Sequence, residues 1–261
     1  MASIQQAVLR VIEGPLPPGA REANNPLFLC LVETESGIER AVLKLVSRPK
    51  VVAEAAAFLT AKHLGLPTLG FFLTEVPEGF APPAGLAFPA TPFQAATRYE
   101  NISSLADFGV GWDSPFWKSA VASEWFGRII AFDVLIGNFD RPLRNVLFRG
   151  TAPGEDFVVA DHDRIFHAQS WSPPELAQSC LRAGSHHFAR FNRLLNGPAR
   201  EKLTRTAEEF SKTFRDLGPP ELASLAAKGL ASSFERKAIR RFFEYRASVL
   251  PALVEKVLAS A

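Results

Sequence analysis

The chain has 261 residues, 47% of them apolar and 21% charged, with 29 Lys and Arg set against 27 Asp and Glu. That balance excludes a disordered chain, which is poorer in apolar residues. A net charge of +2 is too weak a field for a nucleic-acid binder that works by bulk charge, so no nucleic-acid partner is expected. At roughly 100–200 residues per domain, the length predicts one large domain or two lobes sharing a cleft.

The N-terminal text, MASIQQAVLRVIEG, has no basic leader and no long apolar run. No stretch approaches the ~18 apolar residues of a membrane span, so a cytoplasmic protein is expected. Residues 14–25 are rich in Gly, Pro and Asn and predict a loop. Two strand-like runs follow, LFLCLV at 27–32 and AVLKLV at 41–46, joined by ETESGIER as a hairpin. Beyond Pro49 the periodicity predicts a helix with Val51, Ala55, Phe58, Leu59 and Lys62 on one face, ended by Gly65. Residues 71–75 and 95–99 read as further strands across a Pro-rich connection.

After about residue 114 the texture turns helical. Residues 117–137 predict one strongly apolar helix, with Val121, Trp125, Ile129, Phe132 and Ile136 on a face. Two short strands, 145–148 and 157–160, come next. The remainder, 174–261, is helix text broken at Gly184, Asn196-Gly197-Pro198 and Gly218-Pro219-Pro220. Most of the 22 Phe, which have no polar handle, are expected in the core, as are Cys30 and Cys180 as free thiols.

Chemistry concentrates in FDVLIGNFDRPLRNVLF, which sets Asp140 and Asn145 in the spacing D-x-x-x-x-N between a buried helix and a strand. Phosphoryl transfer needs an acid to orient the attacking hydroxyl and a neutral oxygen ligand for magnesium nearby. The following strand, FVVA, ends in Asp161, and the hairpin returns that carboxylate toward Asn145. Lys44 sits mid-strand among apolar neighbours and must snorkel or find an anion. Glu54 lies ten residues on, at the margin of the helix's apolar face, and is a candidate partner. Asp133, on the buried face of its helix, reads as a structural acid bonding backbone groups of the catalytic loop. Arg141 could balance Asp140, a phosphate or a structural carboxylate. The run RKAIRR at 236–241 reads as a solvated helix face or an anionic-partner surface.

The order lysine strand, glutamate helix, connector, D-x-x-x-x-N and strand–Asp resembles the protein-kinase-like superfamily, in its HipA-like and phosphatidylinositol-kinase-like branch. The likeness is carried by AVLKLV, AEAAAFLTAKHLGLP, TRYEN, the Asp140 loop and FVVADHDRIF, and covers roughly residues 10–170. Asn138, Asp140, Arg141 and Asn145 match N-x-D-R-x-x-x-N, and Asp161-His162 match the start of an Asp-His-Gly-like triplet. The resemblance implies an α+β, bilobal protein-kinase-like fold with a small β-rich lobe over residues 1–100 and a larger, mainly helical lobe over 101–261. It further implies an ATP- and magnesium-dependent phosphotransferase. Asp140 would be the catalytic base, Lys44 would meet the phosphates and Glu54 would hold Lys44. Asn145 and Asp161 would be metal ligands. Arg98, Tyr99 and Glu100 would belong to the adenine hinge, and Asn24 and Asn25 to the phosphate loop.

The implied acceptor is a protein Ser/Thr hydroxyl, in a toxin–antitoxin setting; a lipid or small-molecule hydroxyl stays open. The chain departs from the pattern at Pro142, where histidine is commoner, and at Asp163, where glycine is usual. Those departures leave a pseudokinase, a binding module or antitoxin-like partner, as the alternative. Strand–D-x-D at 161–163 also fits a dehalogenase-type phosphatase, but Lys44 and the Asp140 loop then go unexplained.

Overall fold

A computed structural model describes residues 4–16, 27–81, 88–89, 91–111, 113–139, 141–149, 156–162, 164–167, 171–183 and 195–259. Asn24, Asn25, Asp140 and Asp163 lie outside the described residues, as do Gly184 and most of the loop predicted at 14–25.

The chain opens on a strand, β1 (Gln5–Pro15), which takes the first two residues of the predicted loop: Gly14 pairs with Leu29 and Pro15 with Phe28. The predicted hairpin forms as β2 (Leu27–Thr34) and β3 (Gly37–Lys44), in register from Leu27↔Lys44 to Thr34↔Gly37. Thr34 closes its turn, accepting from the Ser36 amide (3.2 Å) and donating to the Gly37 carbonyl (3.0 Å). With β4 (Phe71–Glu75) and β5 (Phe93–Arg98), the strands close a barrel in the order β1-β2-β3-β5-β4. The closing pair, β1 with β4, is parallel. Closure removes exposed edges, and period-2 alternation sends Leu9, Phe28, Cys30, Val32, Leu43, Phe72 and Ala96 inward.

Helix α1 (Arg48–His63) lies between β3 and β4 in sequence and is buried without a break from Val51 to Ala61. Its burial is wider than one face. Small residues at 53, 55, 56, 57 and 61 let neighbouring backbone approach from several sides, and Glu54 is buried with them rather than left at a margin.

The second half carries a three-stranded sheet ordered β6 (Ile102–Ser104), β7 (Val146–Arg149), β8 (Phe157–Val159). Around it stand α2 (Phe116–Ala120), α3 (Glu124–Ile136), α4 (Pro173–Ser179), α5 (Gly197–Leu217), α6 (Ser233–Ser248) and α7 (Leu250–Ala259). The single helix predicted over 117–137 is two helices. The Ser119 and Ser123 hydroxyls donate to the carbonyls of Phe116 (2.9 Å) and Ala120 (2.5 Å), and Ser123 adopts an extended backbone before α3 restarts. Near the C-terminus the sequence signals no stop at Ser232, yet a capping box of Ser232 and Glu235 begins α6 there. A 3-10 turn, Ala223–Gly229, precedes it.

One hydrophobic core joins the halves, running from Val51, Phe58 and Leu73 through Trp125 and Phe132 to Phe210, Phe243 and Leu253. Cys30 is buried and its thiol is pushed up to about 12 by that burial, so it is inert; Cys180 is only partly buried, and both are free. No described helix is long and apolar enough to cross a membrane.

Candidate active site

β3 delivers Lys44 to the mouth between the halves, where β8 ends. The ammonium donates to Glu54 Oε1 at 2.6 Å and also to Asp161 Oδ1. The Lys44 and Glu54 side chains are only 12% and 8% exposed, whereas that of Asp161 is 26% exposed, so the triad opens to solvent on the Asp161 side. Glu54 uses its second oxygen to accept from the His162 backbone amide at 2.8 Å. One carboxylate therefore ties the barrel lysine to the segment that carries Asp161. Asp161 has a left-handed backbone (φ 59), which turns the chain sharply out of β8; Asp tolerates that region better than most residues.

Asn145 ends a 3-10 turn (Leu143–Asn145) leading into β7, and the pairing Val146↔Val159 sets it beside Ala160. The Arg141 guanidinium spans the two, with Nη1 donating to the carbonyls of Asn145 and Ala160, both at 3.0 Å. Its other nitrogens, Nε and Nη2, grip Asp133 at 2.8 and 2.5 Å, and Asn138 Nδ2 donates to the same carboxylate at 3.0 Å. Asp133 is fully buried, so it is a structural acid, and among the described residues its carboxylate is held by side chains of the loop. Arg141 is also buried; desolvation works against its charge, yet Asp133 holds its pKa above the ordinary value. The brace ties Asn138, Arg141 and Asn145 together through Asp133 and the Arg141 guanidinium.

Asn145 Oδ1 is buried and has no hydrogen-bond partner among the described residues. An orphaned carbonyl oxygen is costly in a dry site and is what a hard cation takes as a ligand. With the Asp161 carboxylate at the same end of the β7–β8 hairpin, the donor set fits magnesium, which prefers one or two carboxylates plus neutral oxygens.

The predicted hinge follows β5. Arg98 and Tyr99 donate their amides to the carbonyls of Gly70 (2.7 Å) and Arg40 (2.9 Å), so neither amide is available to a nucleotide base. The Arg98 side chain pairs with Glu39 at 2.6 Å, and Glu100 accepts from Arg149 at 2.7 Å. Tyr99 is exposed, with the Arg40 guanidinium 5.1 Å from its ring centroid. These contacts hold the Arg98 and Glu100 side chains, and the backbone beyond residue 101 enters β6.

Residues to which the sequence assigns no role in the chemistry also shape the site. His162 is buried beneath Phe132, ring edge to face at 5.4 Å, and its pKa falls well below the usual value because of desolvation and the nearby Arg141 charge. It is therefore a neutral packing group. Phe166 and His167 both adopt left-handed backbone and donate their amides to the carbonyls of Ile136 (3.0 Å) and Gly137 (2.8 Å). The segment after Asp161 is thus laced to the end of α3.

No protein-family model matches the chain, and no curated protein matches it in sequence. Among solved structures, it is similar to the Helicobacter pylori proinflammatory kinase CtkA, with a TM-score of 0.54 at 10% identity over 88% of this chain and 94% of that one. The fold is protein-kinase-like. HipA of a Shewanella oneidensis toxin–antitoxin system also matches, with a TM-score of 0.44 at 14% identity, over 95% of this chain and 66% of that one. At 10% identity the likeness to CtkA is one of architecture: a β-rich N-terminal half, α1 against it, and a helical C-terminal half. The barrel and α1 supply Lys44 and Glu54, and the ends of the β7–β8 hairpin supply Asn145 and Asp161, with Lys44 bonded across to Asp161.

Proposed function

We propose that the protein is a phosphotransferase that uses ATP and magnesium to phosphorylate a hydroxyl, with a protein Ser/Thr as the acceptor. The observation that carries this reading is the Lys44 ammonium held between Glu54 and Asp161 at the mouth of a kinase-like fold. In that arrangement Lys44 is aimed by Glu54 and neutralises nucleotide phosphates. Asn145 and Asp161 would hold the metal, whose role is to offset charge on the transferring phosphoryl group. Asp140, on the braced loop, orients the acceptor hydroxyl and takes its proton. The backbone from Glu100 onward meets adenine, with residue 100 dividing a nucleotide-clamping lobe from a catalytic lobe in one catalytic unit. Asn24 and Asn25 belong to the loop over the phosphates.

Apart from the proton transfer to Asp140, nothing in this scheme requires a covalent intermediate on the protein; positioning and electrostatics carry the rate. The assignment of CtkA as a kinase supports the reaction class, and the sequence resemblance to HipA-like kinases supports the protein acceptor and a toxin–antitoxin context. The deciding measurement is calorimetric titration with ATP, with and without magnesium. Magnesium-dependent binding is expected, and no binding at millimolar ATP overturns the reading. Asp140→Ala should keep binding and lose transfer of labelled phosphate. Asp161→Ala should lose the magnesium-dependent part of binding and at least about 100-fold in transfer.

A further inference from the structure

Helix α1 holds Glu54, so its placement decides whether Lys44 is aimed. Its own N-terminus has a favourable proline in the first turn but no electrostatic support. Ser47 caps it without a side-chain hydrogen bond, the first turn contains no acid, and Arg48 puts a positive charge at the positive end of the helix dipole. The helical half supplies what α1 lacks. Arg48 Nη2 and Nη1 donate to Glu235 Oε1 and Oε2 at 2.5 and 3.2 Å, and Nη1 also donates to the Leu230 carbonyl at 2.6 Å. Glu235 is the capping-box acid of α6, accepting from the Ser232 amide at 2.8 Å, so its carboxylate is fixed before Arg48 reaches it.

A second tie sits one residue on. The Trp171 indole N–H donates to the Pro49 carbonyl at 2.9 Å. The ring is buried against Phe166, which in turn packs on Phe242 and Phe243 of α6. Trp171 follows the segment that starts at Asp161, so the chain beyond the metal-ligand position touches the start of the glutamate helix. Glu54 lies six residues from Arg48, about 9 Å along a rigid helix, so a shift at the N-terminus is carried to the carboxylate.

Resting on the phosphotransfer reading, we propose that Arg48, Glu235 and Trp171 form a clamp that holds α1 against the helical lobe. They are positioning residues for the Lys44–Glu54 pair. The clamp ties three parts that meet only in the tertiary structure: the start of α1, the cap of α6 and the segment after Asp161. A partner or modification that drew Glu235 or Trp171 away would release Glu54 without touching the nucleotide site.

The test uses the full chain and three variants: Arg48→Met, Glu235→Gln, which keeps the capping-box acceptor, and Trp171→Phe, which keeps the ring and drops the N–H. Hydrogen exchange of the α1 amides is read against the β2–β3 hairpin, and turnover with MgATP is measured in parallel. Each variant should speed α1 exchange several-fold and leave the hairpin unchanged. Each should lower kcat roughly tenfold while moving the KM for ATP much less, because orientation of the phosphates is lost and base binding is kept. The Arg48→Met/Glu235→Gln double variant should be no worse than the worse single one. Unchanged α1 exchange in all three overturns the clamp whether or not the chain turns over ATP. Loosened α1 with unchanged kcat overturns the positioning role. A wild-type chain that does not bind MgATP defeats the phosphotransfer reading and the positioning role with it, and the exchange arm still decides whether the clamp exists.

Discussion

The chemistry of this protein is set by a few buried charges whose partners leave them little freedom. Glu54 is the pivot: one oxygen meets Lys44, the other the His162 amide, so the lysine is aimed and the Asp161 turn is anchored by one side chain. Asp133 and Arg141 do for the 138–145 loop what Glu54 does for the lysine. Because the pair is buried and each nitrogen of Arg141 and each oxygen of Asp133 has a partner, removing one member strands the other charge. Arg141→Met should therefore lower the unfolding free energy by about 3–5 kcal/mol, measured by urea denaturation. An effect near zero would mean that Asp133 is solvated or protonated in the variant at no cost. Lys44, Glu54 and Asp133 were visible as candidates in the sequence because a lysine amid a strand or an acid on an apolar helix face must have a partner, and Asn145 because of its D-x-x-x-x-N spacing from Asp140. Arg48, Trp171 and Glu235 were not, since each is unremarkable in its own segment and gains meaning from a neighbour over a hundred residues away.

Elements decide how those residues are presented. The end of α3 is the tightest example. Gly137 has φ 66, and a Cβ there would lie 2.9 Å from the His167 ring and 3.2 Å from Phe242. Glycine is needed twice over, for the left-handed turn and for the close approach of the segment after Asp161. Gly137→Ala should cost about 1–3 kcal/mol in thermal or chemical unfolding. It should also loosen the Phe166 and His167 amides in hydrogen exchange, and a variant as stable as wild type would show that the segment can move aside. The same element explains a failed expectation: apolar periodicity runs unbroken over 117–137, but serine hydroxyls bonding back to the backbone end α2 and allow α3 to start afresh. Hydrophobic spacing reports which face is buried and is blind to such a break. β1 shows the opposite case, a strand whose outer half, from Arg10 on, is largely exposed and so lacks the alternation that marked β2 and β3.

At the scale of the whole molecule, the two halves share one core, and the buried His162 and half-buried His167 make that assembly sensitive to acid. Burial and the neighbouring Arg246 charge bring His167 down to about 3, and burial carries His162 lower than its ordinary value. The unfolded chain binds a proton at each below about 6.5, while the folded chain takes it up only at lower pH, so stability falls as pH drops below that value. Glu235 acts in the same direction over a lower range. Its hydrogen bond from Arg48 holds it at about 2, so its contribution is present above the ordinary carboxylate pKa and is lost as pH falls through the folded one. The melting temperature should therefore decline steadily from pH 6.5 to 4 and more steeply below. A flat profile across pH 6.5–5 would show that the histidines are not buried neutral.

Some of this was determined by sequence alone. The β2–β3 hairpin, α1, the β7–β8 hairpin and the order of lysine, glutamate, asparagine and aspartate are local, because short-range periodicity and turn chemistry suffice to set them. What only the tertiary structure decided is which groups share charge. Barrel closure and the parallel β1–β4 pairing, the Glu54 bridge from Lys44 to His162, and the clamp on α1 all join segments far apart in the chain. No local propensity encodes a contact over such distances; it forms because packing the core brings the segments together and a buried charge then takes the partner within reach.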